Sequence, residues 1–146
     1  MVAINKNNGS IFIAEANIHI ESHLKKNSFL SSERFHALIE ERREYKNSHS
    51  NYRLKTFAIN ENDTLGMTIY FDPQGKISMI ILYISNKFLS GTWENWSLEK
   101  EMQRKRLHDE WLEGFLGKPP YNFEWGRAWS VYDKRSGGSG MGITYK

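Results

Sequence analysis

Residues Ile77 to Ile84, read as Ile-Ser-Met-Ile-Ile-Leu-Tyr-Ile, form an apolar run on both sides of an extended chain. A strand of that kind belongs in the middle of a sheet, with cover on each face. Before it, Leu65, Met67, Ile69 and Phe71 alternate with smaller or polar residues and place one apolar face on a second strand. The two are joined by Asp72-Pro73-Gln74-Gly75, with Pro at the second position and Gly at the fourth, as a type I turn prefers. Tyr52 to Ile59 has the same period of two and supplies a third strand. The spacing therefore predicts an antiparallel meander, and the two-sided apolarity of Ile77–Ile84 predicts helices packed over the sheet.

The flanking segments extend this plan. Ser10 to Ile13 and Asn17 to Glu21 are short alternating runs, either one interrupted strand or two. Ser31 to Arg43 offers a serine cap, an early glutamate and a Phe35/Leu38/Ile39 stripe, which predicts an amphipathic helix. A second helix is expected over Leu98 to Leu116, capped by Ser97 and stopped by Gly117-Lys118-Pro119-Pro120. Its apolar stripe reads Leu98, Met102, Leu112 and Leu116, with Lys105 and Asp109 inside the same arc at a spacing suited to a solvated ion pair. Phe123, Trp125, Trp129 and Val131 alternate onto one core-like face, and a turn through Asp133 to Gly138 leads into Met141 to Tyr145 as a closing hairpin. The expected fold is a single α+β domain over residues 10–146, with five or six mostly antiparallel strands (the meander plus a C-terminal hairpin) and two main helices. Residues 1–9, rich in Asn and Lys, are expected to be a flexible arm.

Composition narrows the function classes. The chain of 146 residues can bury one core, and 39% hydrophobic, 25% charged and 14% aromatic residues describe an ordered globular protein. The absence of cysteine removes disulfides and thiolate metal sites and suits a reducing interior, so a cytoplasmic location is expected, with no membrane partner. The net charge of +3 comes from 20 basic and 17 acidic residues, and the densest basic stretch, Lys100 to Arg106, contains Glu101 and leads into Asp109 and Glu110. That is a poor nucleic-acid footprint, since a binding patch needs clustering.

The chemical motifs are sparse. His19 and His23 could share a metal only on a helix, whereas Ile18 and Ile20 argue for a strand, so neither metal nor cofactor is expected. His108 precedes Asp109 and Glu110, but consecutive helical residues diverge, so the imidazole reads as structural. Gly137-Gly138-Ser139-Gly140 lies in a hairpin rather than at a helix start and reads as a turn. No catalytic residue is nominated, although a site dispersed over distant positions would leave no motif. Among the tryptophans, Trp93 and Trp96 precede a helix instead of lying on a core face and are the ones expected to be exposed.

The segments Thr92-Trp93-Glu94-Asn95-Trp96-Ser97, Glu101 to Arg106, His108-Asp109-Glu110-Trp111-Leu112, Leu116-Gly117-Lys118-Pro119-Pro120, Trp125-Gly126 and Ser130-Val131-Tyr132-Asp133 together resemble small bacterial proteins of toxin loci. They are similar to the immunity proteins of contact-dependent inhibition and related polymorphic toxin systems. The resemblance covers mainly residues 76–146, with an echo in Ser28-Phe29-Leu30-Ser31. It implies a cytoplasmic inhibitor whose partner is a cognate toxin domain and whose action is to occlude that domain's active site. Immunity proteins share no single fold, so the resemblance carries over no site residue. From exposure and charge, the expected partner-binding residues are Trp93, Glu94, Trp96, Glu99 and Asp133. Inhibitors of nucleases are often acidic, so a chain of +3 implies either a local acidic patch, Glu40/Glu41 or Glu94/Glu99, or a toxin that is not a strongly basic nuclease. The rival classes are an enzyme with a dispersed site and a carbohydrate- or peptide-binding module using exposed tryptophans.

Overall fold

The computed structural model describes residues 1–89 and 93–146, and of Trp93 only the backbone. Its strands are β1 (Val2–Ile4), β2 (Ile11–Ile13), β3 (Ile18–Ile20), β4 (Ile39–Arg43), β5 (Ser50–Leu54), β6 (Phe57–Ala58), β7 (Asp63–Phe71), β8 (Ile77–Asn86), β9 (Asn122–Phe123), β10 (Gly126–Asp133) and β11 (Gly138–Tyr145). Helices α1 (Lys26–Ser31) and α2 (Glu33–Leu38) precede β4, and α3 (Leu98–Leu116) lies between β8 and β9. β1, β2 and β3 make a small antiparallel sheet, and the large one runs β4-β5-β7-β8-β11-β10-β9, with β6 also on β7. The α+β class and the antiparallel meander follow the sequence, with more strands than the five or six expected: β7 and β8 run longer than their apolar cores, and the expected Tyr52–Ile59 strand is divided into β5 and β6.

β8 is central, as its composition requires. It pairs with β7 from Asp63↔Asn86 to Phe71↔Ile77 and with β11 from Met141↔Leu82 to Thr144↔Met79. The turn into it is held by Gly75 N–H donating to the Asp72 carbonyl at 2.9 Å, while the Asp72 carboxylate accepts from the N–H groups of Gln74 and Lys76. Gly75 has φ +82°, a region where a Cβ is penalised.

Among the described residues most of the cover comes from one side. Leu65, Met67, Ile69, Ile80, Leu82, Ile84, Met141 and Ile143 share a face by register and are buried. α1 reaches this face through Phe29, whose ring lies 5.2 Å from Tyr52 and 5.3 Å from Phe71, and α2 adds Phe35 against Phe29. Leu112 and Leu116 of α3 and the six isoleucine and valine side chains of the small sheet complete the same core. On the opposite face Met79 and Ile81 are half-buried, and Tyr83, 36% exposed, is met by α3 at one end, with the His108 ring 5.5 Å and the Arg104 guanidinium 5.3 Å from its ring. The expectation of helices over both faces is thus corrected: the long apolar run of β8 reflects one buried face and one face that stays partly open.

Three further expectations change. Residues 1–9 are not a flexible arm: Val2 and Ile4 are buried, β1 pairs Val2↔Ile13 through Ile4↔Ile11, and Gly9 packs under the Trp125 indole. The apolar Val2/Ile4 pair outweighs the polar residues around it. The helix expected over Ser31–Arg43 is broken at Ser32, which has extended φ/ψ and caps α2 by accepting the Phe35 N–H at 3.3 Å. The chain then leaves the helix at Leu38, and Ile39–Arg43 pairs with β5 instead. Finally, the core-facing residue in the middle of β10 is Ala128, opposite Ile143, so Trp129 and Val131 face away from the core. Trp129 lies flat across β11, where a Cβ on Gly142 would meet its ring at 2.5 Å, and Val131 is 48% exposed. Alternation identified which residues share a face but could not say which face is inside.

Candidate functional site

The N-terminal half of α3 carries a buried polar seam. The stripe that faces the core is Glu101, Arg104, His108, Leu112 and Leu116, and Leu98, expected on it, is 53% exposed. Glu101 and Arg104 form an ion pair one turn apart, both nearly buried. The remaining carboxylate oxygen of Glu101 accepts from both the N–H and the hydroxyl of Ser139 at 3.1 Å, and Arg104 donates to the Leu89 carbonyl at 2.8 Å. One turn further, His108 Nε2 accepts the main-chain N–H of Ile84 at 3.0 Å. The seam therefore ties α3 to β8, to β11 and to the chain after β8. Burial first, then the Arg104 charge, lowers the His108 pKa to about 4, so the ring is neutral at pH 7. Its accepting nitrogen is occupied by a structural bond, and neither neighbouring carboxylate is hydrogen-bonded to the ring: Asp109 pairs with Lys105 at 2.9 Å and Glu110 is exposed. The seam was legible in principle, because successive steps of four back from Leu116 pass through Leu112 to His108 and then Arg104, a periodicity the charged identities obscured.

Outside the seam lies a corner. Ser97 caps α3 by accepting the Lys100 N–H at 3.2 Å, which fixes the entry of the preceding residues. Trp96 Nε1 donates to the Gly137 carbonyl at 2.8 Å, and a Cβ on Gly137 would sit 3.4 Å from the indole. The indole is thereby pinned to the β10–β11 turn while remaining 41% exposed. Of the expected partner-binding residues, Trp96 and the turn that begins at Asp133 are brought together. Glu94 and Glu99, at the entry of α3 beside Trp96, are exposed and take part in no ion pair among the described residues. The Trp93 side chain lies outside the described residues. The alternative acidic patch is compromised, since Glu41 is held by Arg43 at 2.8 Å and Arg53 at 3.2 Å.

A separate groove of about 520 Å³ lies between α3 and β10, with Lys105, Asp109 and Glu113 on one wall and Tyr121, Arg127 and Ser130 on the other. The Lys105–Asp109 pair at its edge is partly exposed, the solvated pair anticipated from spacing. Elsewhere His19 stacks on Phe12 with ring centroids 4.6 Å apart and His23 pairs with Glu21, and no group of three metal-ligating side chains converges among the described residues. No described helix is long and apolar enough to cross a membrane.

No family model, curated protein or solved structure matches the chain.

Proposed function

We propose that this protein is an immunity protein: a cytoplasmic, stoichiometric inhibitor that binds a cognate bacterial toxin domain and occludes its active site. The observation that carries this reading is the pinned, partly exposed Trp96 ring at a rigid corner with Glu94 and Glu99 at hand. Aromatic side chains fixed before binding lose little entropy on association and are the residues that concentrate interface energy. The acidic neighbours supply the local negative charge that a chain of net +3 otherwise lacks. The resemblance of residues 76–146 to immunity proteins supports the same reading. An interface of this kind buries roughly 1,200 to 2,000 Å².

On this reading the neighbouring gene encodes the toxin domain, and the test is co-expression with that domain in a sensitive bacterium, followed by co-purification. Protection together with a stoichiometric complex is expected. Continued killing, with no complex at micromolar concentrations, would overturn the reading.

A further inference from the structure

The two edges of the large sheet are built differently. β4 carries Glu40, Glu41, Arg42 and Arg43 and has a register irregularity between Ile39 and Glu41. Charge and bulges are how natural edges discourage further pairing. At the other end, β9 pairs only with Gly126 and Arg127, and one more bond runs from the Ala128 N–H to the Tyr121 carbonyl. Beyond that point no described strand covers β10, and Ser130-Val131-Tyr132 presents neither charge, proline nor bulge.

The direction of the free groups follows from the ladder. In an antiparallel pair, alternate residues bond to the neighbour and the others point away. Ala128 N–H points to β9, so Ser130 and Tyr132 also point outward, while Trp129 and Val131 bond to β11. The edge therefore offers the N–H and carbonyl of both Ser130 and Tyr132 in extended geometry. Beside it run the groove against α3 and the exposed Val131, and at its end lie Asp133 and the turn that holds Trp96.

We propose that the bound protein contributes an extended segment that adds as a strand to β10, hydrogen-bonding to Ser130 and Tyr132 and laying alternate side chains into the α3 groove and against Val131. The occupant is set by chemistry: two in-register pairs of main-chain donors and acceptors are matched by another extended backbone, with specificity left to the flanking side chains. The edge is continuous with the Trp96 corner, so one partner can engage both. This inference rests on the inhibitor reading and specifies how the inhibitor holds its target.

The experiment uses the full chain and the toxin domain encoded beside it. Amide hydrogen exchange should show Ser130 and Tyr132 exchanging fast in the free protein and becoming protected in the complex, with Trp129 and Val131 protected in both. Ser130→Pro, which removes an outward N–H, should weaken binding roughly 10- to 100-fold, whereas Ser130→Ala, which keeps it, should bind within about threefold of the parent. A complex in which Ser130 and Tyr132 exchange as fast as in the free protein overturns the edge proposal and leaves the inhibitor reading intact. If Ser130→Pro misfolds, the exchange measurement on the unmodified chain decides alone. Absence of both complex and protection removes the inhibitor reading and the strand proposal with it.

Discussion

His108 Nε2, in the third turn of α3, accepts the main-chain N–H of Ile84 at 3.0 Å. The bond substitutes a side chain for a neighbouring strand, because the β8–β11 pairing ends at Met141↔Leu82 and leaves that N–H unmatched. It requires a neutral imidazole, since a protonated ring has no lone pair to offer.

That requirement makes stability depend on pH. His108 titrates at about 4 in the fold against the ordinary 6.5, so between those values the unfolded chain binds the extra proton. The contribution is fully present above pH 6.5 and is lost as the pH falls toward 4, a change of about 3 kcal/mol from this residue. Urea melts of the parent and of His108→Gln should show it: Gln keeps an acceptor without titrating, so its stability should vary less across that range. Equal pH dependence in both proteins would show that His108 is not the titrating group.

Neighbouring isoleucines of β8 should respond unequally to truncation. Ile80 is fully buried and Ile81 faces the partly open side. Ile80→Ala should destabilise by about 2 to 5 kcal/mol and Ile81→Ala by less than about 1.5 kcal/mol. Equal losses in chemical denaturation would mean that both faces of β8 are covered.

The ion pair of the seam should show the asymmetry expected of buried charges. Glu101→Ala leaves Arg104 unpaired in a nearly buried position and should destabilise by about 3 to 5 kcal/mol. Replacing both residues by Met should restore part of that loss, because no lone charge then remains. A double variant no more stable than Glu101→Ala would place the cost in the Ser139 contacts instead.

Trp96→Ala should separate binding from folding. Its ring lies outside the core and has one hydrogen bond to the turn. The melting temperature should drop by only a few degrees, whereas dissociation from the toxin domain should accelerate by about tenfold or more. Unchanged dissociation would remove Trp96 from the interface.

Much of the fold was legible in the chain. The turn Asp72–Gly75, the strands on either side of it, the Ser97 cap and the end of α3 near Gly117 all appear where local rules place them, since each depends on residues close in sequence. The same holds for the Lys105–Asp109 pair. The misplaced elements are those in which distant contacts overrode local preference. Ile39–Arg43 has helical composition but pairs with β5, and Val2–Ile4 lies among polar residues but completes a sheet with β2. At the candidate site, the sequence marked Trp96, Glu94, Glu99 and Asp133 by charge and position, and it missed the seam behind them because buried ionic residues read as solvent-facing.

The sequence by itself determined the α+β class, the order of the central strands and the extent of α3, because period, turn chemistry and capping are properties of contiguous residues. The tertiary structure decided which face of each strand is inside, since alternation is symmetric until something packs against one side. It also decided that Glu101, Arg104 and His108 are buried and that Trp96 is pinned to Gly137, because those environments are made by residues from β8, β11 and their connecting segments, up to 41 positions away along the chain.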